Sequence, residues 1–264
     1  MSEEEAAAGE PSPDDASRIA ELREVLNHHI VLYYEKDDPE ISDEEYDRLF
    51  AELQELEGRN PELITGDSPT QRVGAPASTS FAPVRHAVPM LSLANARTEE
   101  ELTAWENRIR NHLLRRDVDP GEITFVTEPK IDGLAISLTY ENGRLTKGAT
   151  RGDGQVGEDV TLNIETIRTV PKQIDDAPPL IEVRGEVYLP IADFAELNQK
   201  RVDAGLPAFA NPRNSAAGSI RQNDPKAAAE RPLAVWSYGI GAMDGIRFAS
   251  HSEEIEWLRD HGFH

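Results

Sequence analysis

The stretch Thr127-Glu128-Pro129-Lys130-Ile131-Asp132-Gly133 sets an amine between two carboxylates, just ahead of a run, LAISLTY, that alternates as a strand does. A lysine amine is a nucleophile only when unprotonated, and its ordinary pKa of about 10.4 leaves it almost wholly protonated at neutral pH. Flanking carboxylates favour the ammonium form, so Glu128 and Asp132 are not there to lower that value. Hydrogen bonding suits them better. If the backbone stays extended through Asp132, then Glu128, Lys130 and Asp132 project from one face. In the same way Glu182, Arg184 and Glu186 share one face of LIEVRGEVYL, opposite Ile181, Val183, Val187 and Leu189. The two charged faces could line one cleft. Alternation alone, however, favours a plainer reading, because the solvent side of any antiparallel sheet looks the same.

Other residues carry weaker signals. Gly152, Gly154 and Gly157 in RGDGQVG fit the dinucleotide spacing G-x-G-x-x-G. That fingerprint needs a buried parallel strand before it and a helix behind it, and the half-polar LTKGAT that follows a hairpin turn supplies neither. We read a glycine-rich turn that carries Arg151 towards a ligand. Arg213 and Arg221 flank a small-residue segment with Asn211, Asn214 and Ser215, which suits a helix N-terminus facing phosphate. His28 and His29 are adjacent rather than four apart, so local helix packing is expected of them instead of metal binding. No metal ligand is assigned.

Elements to position these groups can be read from periodicity. Residues 1–16 are acidic and poor in large apolar groups, which predicts a disordered tail. From Ser17, the spacing of Ile19, Leu22, Leu26, Ile30 and Tyr33 predicts a helix. Ser42 with Glu45 makes a capping box for a second helix, whose stripe of Tyr46, Leu49, Phe50, Leu53 and Leu56 runs to Gly58. The pair forms a helical hairpin spanning 17–75, followed by a second domain over 76–264. Between them, Gly66 to about Pro89 reads as an irregular linker or covering loop. A helix capped by Thr98 follows, then the strands ITFVTEPK and LAISLTY, a tight Asn142-Gly143 turn, and the LIEVRGEVYL strand. The fold class is α+β, with antiparallel pairing dominant. The closing helical run SEEIEWLRDHGF looks like a cut in the chain.

Composition bounds the rest. The chain has 264 residues without cysteine, so disulfides, cysteine nucleophiles and cysteine-bound zinc are excluded within it. No apolar run is long enough for a membrane span and no secretory leader is evident, which places the chain in the cytoplasm. With 49 acidic against 27 basic residues the net charge is -22, the wrong sign for gripping nucleic acid by bulk electrostatics. A salt-rich cytoplasm, where charge is screened over a few ångströms, would remove that difficulty.

In order along the chain, SDEEYDRL, DSPTQRVG, VPMLSL, EPKIDGLA, TRGDGQVGEDVT, EVRGEVYLP and NPRNSAAGSIRQ resemble the N-terminal part of the NAD+-dependent DNA ligases. The resemblance covers about residues 17 to 264 and implies a helical subdomain followed by a mainly antiparallel nucleotidyltransferase domain. It implies that Lys130 attacks NAD+, releases nicotinamide mononucleotide (NMN) and holds AMP before passing it to the 5′-phosphate of nicked double-stranded DNA. Glu128 would then lie at the adenine end, with Ser92, Leu93, Asp132, Gly133, Arg151 and Glu186 also at the nucleotide. Glu186 would serve the ribose or a Mg2+-linked water. Without the resemblance, Leu91 and Leu93 would read as ordinary core. Arg213 and Arg221 would meet DNA or nucleotide phosphate. Tyr33, Asp43, Tyr46 and Asp47 would hold the NMN half, with Tyr34 standing where many relatives have histidine. A monomer is expected, and similar ligases continue into two further lysine-bearing strands, an OB-fold, a zinc module, helix-hairpin-helix elements and a BRCT domain. Zinc is therefore expected only beyond this sequence.

Overall fold

Two helices open the fold because both carry apolar stripes that need a partner. The computed structural model describes residues 13–32, 40–71, 81–93 and 95–264. Helix α1 (Pro13–Val31) pairs with α2 (Asp43–Arg59), burying Ile19, Leu22 and Leu26 against Leu53 and Leu56. Ser42 caps α2 as the capping box predicts, its Oγ accepting from the Glu45 N–H at 3.2 Å. Helix α1 starts at Pro13, inside the segment predicted to be tail. Proline suits a first helical turn, and Asp14 and Asp15 there complement the dipole. Tyr33 and Tyr34 lie outside the described residues.

The DSPT segment locks onto this hairpin. Glu57 of α2 is buried, and its carboxylate accepts from Arg23 of α1 at 2.6 Å, from Ser68 at 2.7 Å and from Thr70. Burial alone would push the Glu57 carboxyl up. The hydrogen bonds from Thr70, Ser68 and Arg23 outweigh that and hold it below the usual carboxylate range.

The predicted linker contains a short strand, β1 (Pro83–Arg85). Past helix α3 (Glu99–Leu114) come β2 (Leu134–Glu141), β3 (Arg144–Thr150) and β4 (Val156–Glu158), and β4 pairs antiparallel with β1. Next along the chain are α4 (Thr161–Ile164), β5 (Leu180–Tyr188), α5 (Ile191–Asp203), α6 (Pro212–Ile220), α7 (Pro225–Ala229), β6 (Ala234–Asp244) and α8 (His251–Asp260). A four-stranded antiparallel sheet runs in the order β3-β2-β5-β6. Asn142 and Gly143, both at positive φ, make the tight turn between β2 and β3, as the sequence predicts.

One face of the sheet is core. Ile136, Leu138 and Tyr140 of β2 and Ile181, Val183 and Val187 of β5 are fully buried. They form one apolar cluster with Ile164, with Ala216 and Ile220 of α6, and with Leu258 and Phe263.

Leu91–Lys130 forms a compact unit of its own, the remainder of the chain forming the other. Within it, Thr98 caps α3 by accepting from the Glu101 N–H, and Trp105 lies 5.6 Å from Phe125 between ring centres. The predicted ITFVTEPK strand does not form: residues 123–130 are irregular and, among the described residues, pair with no strand. Val126 is 88 % exposed, and Pro129 has no N–H to offer a ladder. The premise that Glu128, Lys130 and Asp132 share a strand face falls with it. Leu91 and Leu93, read as core from pattern alone, are 83 % and 77 % exposed.

Candidate active site

The second face of the sheet is charged yet sheltered, which excludes the solvated-surface reading for β5. Glu182 and Glu186 are only 4 % and 9 % exposed. Side-chain alternation sets Ala135, Ser137 and Thr139 of β2 beside Glu186, Arg184 and Glu182. Buried charge requires partners, and several are present. The Glu182 carboxylate accepts from Ser137 Oγ at 2.9 Å, from Arg184 Nε at 3.0 Å and from the Ala242 N–H at 3.0 Å. The Arg184 guanidinium also donates to the carbonyls of Pro89 and Val88. Residues 88–89 thus cover the guanidinium, matching the expectation of a covering loop.

Arg151 follows the last residue of β3, its N–H donating to the Ala135 carbonyl at 3.0 Å. The glycines after it make a turn, Gly152 and Gly154 at positive φ, and the chain then enters β4 rather than a helix. RGDGQVG is therefore not a dinucleotide fingerprint. Met90 donates its N–H to the Gly154 carbonyl, and His86 contacts the Arg151 carbonyl at 3.1 Å, so residues 86–90 pin the turn from outside.

Sequence reasoning missed Tyr238. The register of β6 against β5 shifts between Arg184 and Gly185, whose partners are Gly239 and Ser237, leaving Tyr238 as the extra, bulged residue. The residue is 42 % exposed. Burial of the hydroxyl, aided by the Glu186 charge and opposed by Arg151 and Arg184, leaves the phenol pushed up to about 12. All three charged residues thus act on this one phenol. The signal was in AVWSYGIG, where Trp236 and Tyr238 alternate with buried Val235 and Ser237.

Helix α6 begins as predicted, Asn211 Oδ1 accepting from the Asn214 N–H at 2.7 Å. Both arginines meet carboxylates of this chain. Arg213 lies 2.7 Å from Asp132, and Arg221 lies 2.7 Å from the buried Glu158, which Thr150 also contacts. Gly133 is a close approach: a Cβ there would sit 2.1 Å from the Val187 carbonyl oxygen and 2.9 Å from Glu186 Cγ. Only glycine lets the chain enter the sheet at that point.

Ser92, Leu93, Glu128 and Lys130 belong to the unit Leu91–Lys130 and are exposed. Lys130 is the last residue of that unit, two positions before Asp132. In the hairpin, Tyr46 and Asp47 are half-buried in α2, and Tyr46 stacks on Phe50 at 6.2 Å. Asp43 opens α2, and its side chain is outside those described.

Residues 78–264 match the family described as the NAD-dependent DNA ligase adenylation domain, and residues 12–74 match the DNA ligase-like, N-terminal NAD+-binding domain. Among curated relatives named DNA ligase, the protein from Rubrobacter xylanophilus is 56 % identical over 93 % of this chain. That from Desulforudis audaxviator is 54 % identical over 95 %. The chain spans only 36 % and 37 % of those two proteins. Two domain matches in sequence order, joined to relatives at this identity, establish that the chain belongs to the NAD-dependent DNA ligase family, of which it carries the N-terminal NAD+-binding and adenylation domains.

Proposed function

We propose that this chain performs the self-adenylation step of DNA ligation, with Lys130 as nucleophile. The neutral Lys130 amine attacks the α-phosphorus of NAD+; an N–P bond forms, the P–O bond to NMN breaks, and the amine gives up a proton. AMP then stays on Lys130 as a phosphoramidate until a DNA 5′-phosphate accepts it.

The observation that carries this reading is the sheltered Glu182–Arg184–Glu186 row beside Arg151 and Tyr238. Two carboxylates held out of water on one sheet face are costly to bury, which marks this face as the candidate site. The groups fit a nucleotide: guanidinium groups suit phosphate oxygens, and an open tyrosine ring offers a stacking surface for a base. Hard carboxylate oxygens such as those of Glu186 suit Mg2+, which when bound would offset charge on the pyrophosphate. The N-terminal NAD+-binding match favours NAD+ over ATP, with Tyr33, Asp43, Tyr46 and Asp47 serving the NMN half. Ser92, Leu93, Glu128, Asp132 and Gly133 complete the nucleotide contacts, while Arg213 and Arg221 serve phosphate. We further propose a cytoplasmic monomer whose DNA partner is engaged by a longer protein. Among the described residues no helix is long and apolar enough to cross a membrane.

Intact-mass spectrometry after incubation with Mg2+ and either NAD+ or ATP tests the reading. An AMP adduct from NAD+ alone, absent in Lys130→Ala, is expected. An adduct from ATP would overturn the cofactor assignment, and an adduct that survives Lys130→Ala would overturn the nucleophile. The 264-residue chain alone is expected to leave nicked DNA unsealed.

A further inference from the structure

We propose that His28, His29 and Glu40 form a site for a late first-row divalent cation, with Zn2+ as the committed occupant. The sequence spacing argued against a metal pair, but the fold adds a third donor from the other helix's approach. One donor atom from each of the three side chains lies within 4.8 Å of the other two. Among the described residues this is the one such group.

The chemistry of the set is selective. Two imidazoles and one carboxylate are the ligands of open zinc sites, which keep a fourth position for water. Hard cations such as Mg2+ and Ca2+ take oxygen ligands and would leave the imidazoles unused. Zinc–ligand bonds of about 2.1 Å in a tetrahedron put donors about 3.4 Å apart. The His28 Nε2 to Glu40 Oε2 separation is already 3.3 Å, so the remaining closure falls to the second imidazole.

His29 supplies an independent observation. Its Nδ1 is buried and has no hydrogen-bond partner. A buried ring nitrogen left without a partner calls for a bound ion or water. The two rings meet edge to face at 5.3 Å between centres, which keeps both near Glu40 without stacking one over the other. A contrast within the same chain sharpens the point. His251 contacts Glu254 at 3.1 Å with no second imidazole, which is how a simple histidine–carboxylate pair looks. A cation at the first group would tie the last turn of α1 to the residues just before α2.

The test uses the whole chain, stripped by chelator. Titration with Zn2+ should give one site of micromolar affinity, and Co2+ should give the intense visible bands of tetrahedral coordination. Zn2+ should also raise the melting temperature, since a ligand that binds only the folded state stabilises it. His28→Gln and Glu40→Gln alter side chains more than half exposed, so both variants should fold, and each should weaken Zn2+ binding at least tenfold. His251→Gln should leave it unchanged. Absence of binding below millimolar Zn2+, or binding that survives either His28→Gln or Glu40→Gln, would overturn the assignment.

Discussion

The Arg213 guanidinium donates to the Asp132 carboxylate at 2.7 Å, joining the first turn of α6 to the residue two positions beyond Lys130. The Asp132 side chain is 73 % exposed, so the pair contributes roughly 0–1 kcal/mol to stability. Its value to the reaction should be larger, because displacing reacting groups by about 1 Å costs up to 100-fold in rate. Arg213→Ala should therefore leave the melting temperature nearly unchanged while slowing AMP-adduct formation by roughly 10- to 100-fold. Equal loss in both measurements would count against this separation.

The Arg221–Glu158 pair should weigh far more on stability. Glu158 is buried, and Arg221 brings its guanidinium to 2.7 Å. Arg221→Ala removes that charge from a carboxylate shielded from water, a change that costs roughly 3 kcal/mol. Chemical denaturation should show this loss, whereas Lys200→Ala, at an exposed pair on α5, should show none.

Glu57 sets an acid limit on the helical hairpin. Its carboxyl is held below the ordinary value by Thr70, Ser68 and Arg23 against the opposing effect of burial. A lowered folded-state pKa means that the unfolded chain binds the proton first as pH falls. The contribution is complete above the unfolded value of about 4.3 and is lost as pH drops through the lower folded value. Melting curves from pH 7 to pH 3 should fall less steeply below about pH 4 in Glu57→Gln than in the parent.

Gly133→Ala probes the entry into β2. The new methyl would lie 2.1 Å from the Val187 carbonyl oxygen, a backbone atom of the central strand β5. Overpacking of this kind costs roughly 1–3 kcal/mol and displaces the strands. The variant should melt lower, and it should lose adduct formation because Glu186 Cγ is also within 2.9 Å of the added atom.

Tyr238 should titrate late. With its phenol pushed up to about 12 by burial and by Glu186, the unfolded chain loses this proton first, so stability falls as pH rises above about 10. An ultraviolet titration of the parent minus Tyr238→Phe should isolate one phenol ionising above the ordinary tyrosine range. A component centred near 10 would contradict the desolvation argument.

Local signals were legible and non-local ones were not. Ser42, Thr98 and Asn211 cap helices through hydrogen bonds to N–H groups three residues away, so their types suffice to mark the starts. Asn142-Gly143 likewise announces its own turn. ITFVTEPK has the composition of a strand, but a strand exists only if another segment pairs with it, and among the described residues none does. The shelter over Glu182, Arg184 and Glu186 comes partly from Val88 and Pro89, the latter 95 residues from Arg184. No spacing within the strand reports such a partner. The family was legible in the motif order along the chain, while Tyr238 escaped because its aim depends on a bulge set by strand register.

Strand β5 has no residue on open surface: its members alternate between the apolar core and the sheltered charged row. Mutational freedom should therefore be nearly absent there. In a saturation library, substitutions at Ile181, Val183 and Val187 would be lost through instability, and those at Glu182, Arg184 and Glu186 through loss of charge placement. Helix α3, with no buried residue, has the reverse character. Sequence drift in this lineage should collect on that helix and leave the nine residues of β5 almost untouched.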